Sequence, residues 1–342
     1  MRRWLTPFLV VLAIAGCRNA GEHQVLHLAG QTMGTAYNII AIGPGLERES
    51  LSNAVEASLA AVNASLSNWD PDSEVARFSA SERTDPVEIS AALTTVMGAA
   101  RDVHAQSAGR FDVTLGPLID LWGFGPRRPA DPQPSDSAIR QALQLVGQER
   151  LLTLNSAAMT LTKSRAGVGV NLSAIAKGFG VDAVAQALHK AGVQNYMVEI
   201  GGDLVTRGVN KQGEPWRIGI EKPVSGASTV QLVVPVSNRG LATSGDYRNF
   251  FEADGVRYSH ILDPTTGRPV AHRTSSVTVV AENAMLADAW ATAMLVLGEQ
   301  AGLELANAAD LAVYFISRDA SGAQDTYITV QSNAFSELMA AQ

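Results

Sequence analysis

The chain has 342 residues, 46% hydrophobic and 17% charged, with a formal net charge of −7. That composition supports a packed core, in one large domain or two smaller ones, and excludes a coiled coil, a collagen-like chain or a disordered one. The acidic balance argues against nucleic acid as a partner.

The N-terminus reads as a targeting segment rather than as part of the fold. Arg2 and Arg3 precede an apolar stretch, Leu5 to Ala15, which leads into Ile14-Ala15-Gly16-Cys17. Small residues before a cysteine suit a lipoprotein signal peptidase, and the thiol would accept the lipid. The stretch is too short to span a bilayer comfortably, since a helix needs about 20 apolar residues. Residues 1–16 are therefore expected to be removed, leaving lipidated Cys17 and a polar tether to residue 24. The expected location is the cell envelope, facing the periplasm; the sequence does not choose between inner and outer membrane. Loss of Arg2 and Arg3 takes the charge to −9, and Cys17 is the only cysteine, so no thiol remains for disulfides, thiolate catalysis or zinc.

Beyond the tether, Val25–Leu28 and Thr35–Ile42 read as strands, and Leu46–Leu66 and Ile89–Val103 carry helical apolar spacing. Ser90 is placed to cap the second helix. Pro126–Asp136 reads as a proline-rich linker, after which Ser135 caps a helix running to about Val146. The remainder is strand-rich: 151–154, 159–162, 168–172, 197–200, 232–236 and 276–280, interrupted by helices near 180–191 and 284–297. Gly192 and Gly298 stand at the ends of those helices. Strands and helices do not alternate strictly. An α+β body with mixed, largely antiparallel sheets and packed helices fits better than a doubly wound sheet.

The common nucleotide and hydrolase signatures are missing. There is no Walker A, no full Rossmann turn around Gly167-Val168-Gly169, no G-x-S-x-G and no HExxH, and the six histidines are scattered. A bound metal would have to be a hard cation held by oxygen. In the apolar helix 284–297, Asp288 and Thr292 lie one turn apart on one face. Two readings are open: a local hydrogen bond or solvent contact, or a magnesium site completed by phosphate and water. Val168 to Asp182 runs through a small-residue loop containing Lys177, suited to phosphate approach or to a carbonyl ligand. Asp263-Pro264 to Gly267 reads as a hairpin turn, with His260 just before it as a possible general base or a structural hydrogen-bonder.

Taken together with further blocks, these segments resemble the FAD:protein FMN transferase (ApbE) family. The blocks are Gln31–Tyr37, Leu66–Val75, Gly109–Leu118, Leu121–Gly125, Ile200–Leu204 and Ala242–Tyr247, in the family's order over about residues 25 to 335. The resemblance implies a single ApbE-like, T-fold-related body over residues 25–337. It implies a FAD site at Met33, Trp69, Arg110, Phe111, Asp112, Asn171, Lys177 and Leu262, and magnesium held by Ala174, Asp288 and Thr292. Some members carry Asp at the positions of Asn171 and Ala291.

The activity so implied is magnesium-dependent attack of a protein Thr or Ser hydroxyl on the FMN-side phosphorus of FAD, with AMP leaving. His260 is the leading base and Asp263 the second. The acceptor would be an exported redox protein with a Ser/Thr-Gly-Ala-Thr/Ser-type motif. A FAD pyrophosphatase giving FMN and AMP, or a non-catalytic flavin-binding lipoprotein, are the alternatives. Ser225-Gly-Ala-Ser228 partly matches the target motif but lacks its upstream Asp, and reads as a loop.

Overall fold

The computed structural model describes residues 24–125, 133–224, 229–247, 249–253, 255–320 and 326–341. The signal segment and Cys17, most of the proline-rich linker and Ser225–Ser228 lie outside the described residues. The chain opens with strands β1 (Gln24–Thr32) and β2 (Thr35–Gly43), joined by a tight turn in which Met33 (φ 50) and Gly34 (φ 75) are left-handed. Leu26, Leu28, Ile39 and Ala41 are buried at alternate positions, as pleating demands.

A long excursion follows before the chain returns to this sheet. It comprises α1 (Arg48–Leu66), α2 (Glu74–Ala80), β3 (Val87–Glu88), α3 (Ala91–Gln106), α4 (Gly116–Leu121), α5 (Asp136–Ala142) and a 3-10 turn at Leu143–Leu145. It continues through α6 (Gln148–Leu151), β4 (Leu152–Asn155), β5 (Thr160–Lys163) and α7 (Ala176–Lys190). Ser73, Ser90 and Ser135 cap α2, α3 and α5 by accepting N–H groups in the first turn. The chain re-enters through β6 (Asn195–Ile200) and β7 (Asp203–Arg207). A hairpin of β8 (Arg217–Glu221) and β9 (Val230–Pro235) precedes β10 (Gly240–Gly245). Two hairpins, β11 (Phe250–Ala253) with β12 (Val256–Ser259) and β13 (Leu262–Asp263) with β14 (Arg268–Pro269), lead to β15 (Thr274–Ala281). Then come α8 (Ala284–Ala308), β16 (Ala312–Arg318), β17 (Tyr327–Gln331) and α9 (Asn333–Ala340).

The eight-stranded sheet has the order β1-β2-β6-β7-β10-β15-β16-β17, antiparallel at every pairing. The expected α+β, largely antiparallel body is what forms. Both faces of its centre are covered. Val277 and Val279 of β15 and Val313 and Phe315 of β16 pack towards α8 in the main core. The intervening Val280, Ala312, Tyr314 and Ile316 meet the β8–β9 hairpin and α9 on the other side. This is why β15 is buried along almost its whole length and reads as a continuous run rather than an alternating one.

Two local expectations need correction. Val168–Leu172 is not a strand: its backbone is satisfied by side chains, with Ser79 Oγ accepting from Val170 N–H (2.9 Å) and Asn68 accepting from Leu172 N–H (2.7 Å). The helix expected from 180 starts at Ala176, so Lys177 and Gly178 belong to its first turn. The expected helix 284–297 does end at Gly298, where φ 76 and ψ 174, a conformation reserved to glycine, break the helical path; a second helical stretch then carries α8 on to Ala308.

Candidate active site

Helices α7 and α8 meet at their N-termini, where first-turn N–H groups lack intrahelical acceptors. Each helix supplies a carboxylate to the other. Asp288 Oδ2 in α8 accepts from Gly178 N–H at 3.1 Å. Asp182 in α7 accepts from Ala284 N–H and Met285 N–H at 2.9 and 2.8 Å. Burial is the main influence on Asp182 and raises its pKa to about 6, against the two N–H donors. The helices approach so closely that a Cβ on Gly178 would lie 2.2 Å from the Ala284 carbonyl oxygen.

This crossing forms one wall of a cavity of about 710 Å³, within the range of small-molecule sites, roughly 300–1,000 Å³. Asp288 and Thr292 reach it from α8, Ala174 from the loop before α7, Lys177 from the first turn of α7, and Ser244 from β10. Thr292 Oγ1 lies 3.2 Å from Ser244 Oγ. The Lys177 ammonium donates to Asp203 Oδ2 and stands 3.8 Å from Asp288 Oδ1. Burial alone would lower the Lys177 pKa, but Asp288 and Asp203 outweigh it and hold the lysine charged. Burial and then the Asp288 charge push Asp203 well above the usual carboxylate range, against the pull of Lys177.

The facing wall comes from the segment around the β11–β12 hairpin. His260 lines the cavity, and its Nδ1 is 2.9 Å from the Asn249 carbonyl. A carbonyl can only accept, so Nδ1 carries the hydrogen and Nε2 keeps its lone pair in the neutral ring. Burial lowers the His260 pKa and favours that neutral form. Phe124 packs edge-on against the imidazole at 6.3 Å and continues through Phe251 and Tyr258 to Trp122 as an aromatic stack.

The ApbE family model matches residues 33–315. A FAD:protein FMN transferase of Vibrio cholerae is 43% identical over 324 residues, covering 94% of this chain and 96% of that protein. The chain belongs to the ApbE family. Among solved structures, the Vibrio cholerae flavin transferase ApbE superposes with a TM-score of 0.84 at 40% identity, covering 92% of this chain and 99% of that one. The apo Pseudomonas stutzeri flavinyl transferase ApbE gives 0.84 at 38%, with 94% and 98% covered.

Of the residues that the ApbE resemblance singled out, the structure gathers Arg110, Phe111, Asp112, Asn171, Ala174, Lys177, His260, Leu262, Asp288 and Thr292 around this one cavity. Met33, Trp69 and Asp263 are not among its walls. Met33 sits in the β1–β2 turn, with its sulfur against Gly180 of α7. Trp69 is 69% exposed, next to Asn68, which grips the backbone on both sides of Asn171. Asp263 bonds Arg110 Nη1 at 2.7 Å and accepts from Thr265, so its carboxylate is occupied as a partner of Arg110 rather than placed as a base. The Asp112 carboxylate is likewise taken up internally, by Thr114 and by Gln148 N–H at 2.9 Å.

Sequence reasoning missed Asp203, Glu199 and Ser244. Asp203 and Glu199 flank the turn at Gly201 and Gly202, both at positive φ, which brings the start of β7 under Lys177. Two glycines before an acidic residue signal such a turn, but not the lysine that answers it.

Proposed function

We propose that this chain is a FAD:protein FMN transferase that moves FMN from FAD onto a Thr or Ser hydroxyl of an exported redox protein, releasing AMP. The observation that carries this reading is one cavity presenting a neutral histidine nitrogen on one wall and a buried, oxygen-only donor set on the other. The donors fit magnesium. Asp288 is 4% exposed and lines the cavity together with Ala174 and Thr292, whose carbonyl and hydroxyl oxygens would complete the protein's share of the ligands. No group of three or more His, Cys, Asp or Glu suited to a metal occurs among the described residues, so protein backbone, hydroxyl and substrate oxygens must supply the rest. Magnesium held there would neutralise the pyrophosphate and the charge of the departing AMP.

The chain's own residues then divide the work. Lys177 supplies a fixed positive charge to the phosphates from the first turn of α7. Arg110, held by Asp263 and Thr265, shapes the opposite rim. His260 Nε2 takes the proton from the acceptor hydroxyl as its oxygen bonds to the FMN-side phosphorus and the phosphoanhydride bond to AMP breaks. Trp69 offers an exposed indole face for ring stacking beside the Asn171 segment. Export and lipidation at Cys17 are proposed from the targeting segment alone. Among the described residues no helix is long and apolar enough to cross a membrane.

The test is incubation of the purified chain with FAD, magnesium and an acceptor bearing a Ser/Thr-Gly-Ala-Thr/Ser motif. Covalent FMN on the acceptor with stoichiometric AMP is expected. AMP with free FMN only would make the chain a pyrophosphatase, and intact FAD would make it a carrier. Asp288→Ala is expected to abolish turnover, and an unchanged rate would remove the metal assignment.

A further inference from the structure

We propose that the outer edge of β8 is the docking strand for the acceptor protein, which pairs an extended segment there to carry its hydroxyl into the cavity. This deepens the transferase reading above and rests on it. β8 forms a two-stranded sheet with β9, and no other strand pairs with it among the described residues. Ile218, Gly219, Ile220 and Glu221 all line the cavity, whereas β9 contributes nothing to its walls. Ile218 and Ile220 turn into the core between the hairpin and the large sheet, and Gly219 is exposed on the opposite face. Consecutive residues from both faces border one cavity only where it runs along the strand's edge, and that edge is the one away from β9.

The ladder decides which main-chain groups look out from it. At the two ends of the pairing, Val236 N–H donates to the Trp216 carbonyl and Lys222 N–H to the Thr229 carbonyl, both at 2.8 Å. The extra residue of the bulge in this hairpin lies on β9, so the alternation along β8 is unbroken. Ile218 and Ile220 therefore share the bonding direction of Trp216 and Lys222, and Arg217 and Gly219 point their N–H and C=O groups the other way. Such a row pairs with extended backbone whatever its side chains, as in β-strand addition. The occupant follows from the site. Lys177, Asp288 and His260 line the same cavity, and a protein hydroxyl delivered to them must arrive on a length of main chain crossing the rim. FAD has no peptide backbone to pair with this edge.

The measurement is residue-resolved amide hydrogen exchange on the full chain with FAD and magnesium. It is made with and without the motif-bearing acceptor, its target hydroxyl residue changed to Ala so that it docks without reacting. At acceptor concentrations well above the KM of the intact acceptor, the Arg217 and Gly219 amides are expected to exchange roughly tenfold more slowly or less. The Ile218 and Ile220 amides, already paired to β9, are expected to change little. Kinetics give a second reading. Gly219→Pro removes the outward N–H and is expected to raise the acceptor KM roughly tenfold, with the KM for FAD moving far less. Gly219→Ala keeps the N–H, and its methyl would meet only Val230 Cγ2 at 3.2 Å, on a side chain 58% exposed and able to turn away. Its acceptor KM is expected to stay near wild type. FMN transfer by wild type with no added protection at Arg217 and Gly219 would overturn the inference and leave the transferase reading intact. So would equal acceptor KM values in folded Pro and Ala variants. No FMN transfer by wild type would overturn that reading and the inference with it.

Discussion

At the scale of single residues, the tautomer of His260 is decided by one backbone carbonyl. Because Asn249 accepts from Nδ1, the basic nitrogen faces away from that bond, and burial keeps the ring neutral below the ordinary histidine pKa of 6.5. A base must be unprotonated, so the acidic limb of kcat/KM is expected below pH 6.5, with activity rising through it and flat above. A pH–rate profile checks this, and a limb centred above pH 7 would contradict it. His260→Ala is expected to lower kcat by about 10²- to 10⁴-fold with that limb abolished. Some of this was legible in sequence. His260 before a turn, and Asp288 one helical turn from Thr292, are local patterns. Asp263 and Asp112 were harder, because a carboxylate in a motif looks the same whether it faces substrate or a neighbouring arginine or amide. The Asp203–Lys177 pair joins residues in different elements, so no local spacing announces it.

At the scale of elements, the mutual capping of α7 and α8 ties stability to the site. Gly178→Ala would drive a methyl into the Ala284 carbonyl, part the helices and withdraw the amide that Asp288 accepts from. Magnesium affinity and turnover are expected to fall together, read by calorimetry and AMP release. Asp182 gives a pH signature. Its folded pKa is raised, from 3.8 to about 6, so between those values the unfolded chain has lost the proton that the folded chain keeps. Its contribution to stability therefore declines as pH rises across that window. Urea midpoints measured from pH 4 to 6 are expected to fall less steeply in Asp182→Asn.

Lys163 is the third case. It is 1% exposed and donates to the carbonyls of Phe78, Ser79 and Val168 at 3.0–3.2 Å, fastening the segment that delivers Asn171. Lys163→Met strands three acceptors and is expected to cost about 1–3 kcal/mol in urea unfolding and to raise the KM for FAD. The alternating pattern had suggested a strand at 168–172. The backbone there is held by the side chains of Ser79 and Asn68, 91 and 104 residues earlier, which periodicity cannot register.

At the scale of the whole molecule, the sheet visits its strands in sequence order, and everything catalytic hangs on the excursions between them. The fold class was legible because caps, prolines and apolar periods are local. The sheet order was not, because β2 joins β6 across the longest excursion, with Asn38 and Glu199 bonded 161 residues apart. That separation has a consequence during synthesis. At about 5–20 residues per second, the outer edge of β2 waits roughly 10–30 s for its partner. Throughout that interval the first hairpin shows a row of unpaired amides and carbonyls to any other strand nearby. The most aggregation-prone moment of this protein's life therefore comes at its beginning, and cellular factors that shield nascent strand edges would set how much of it matures.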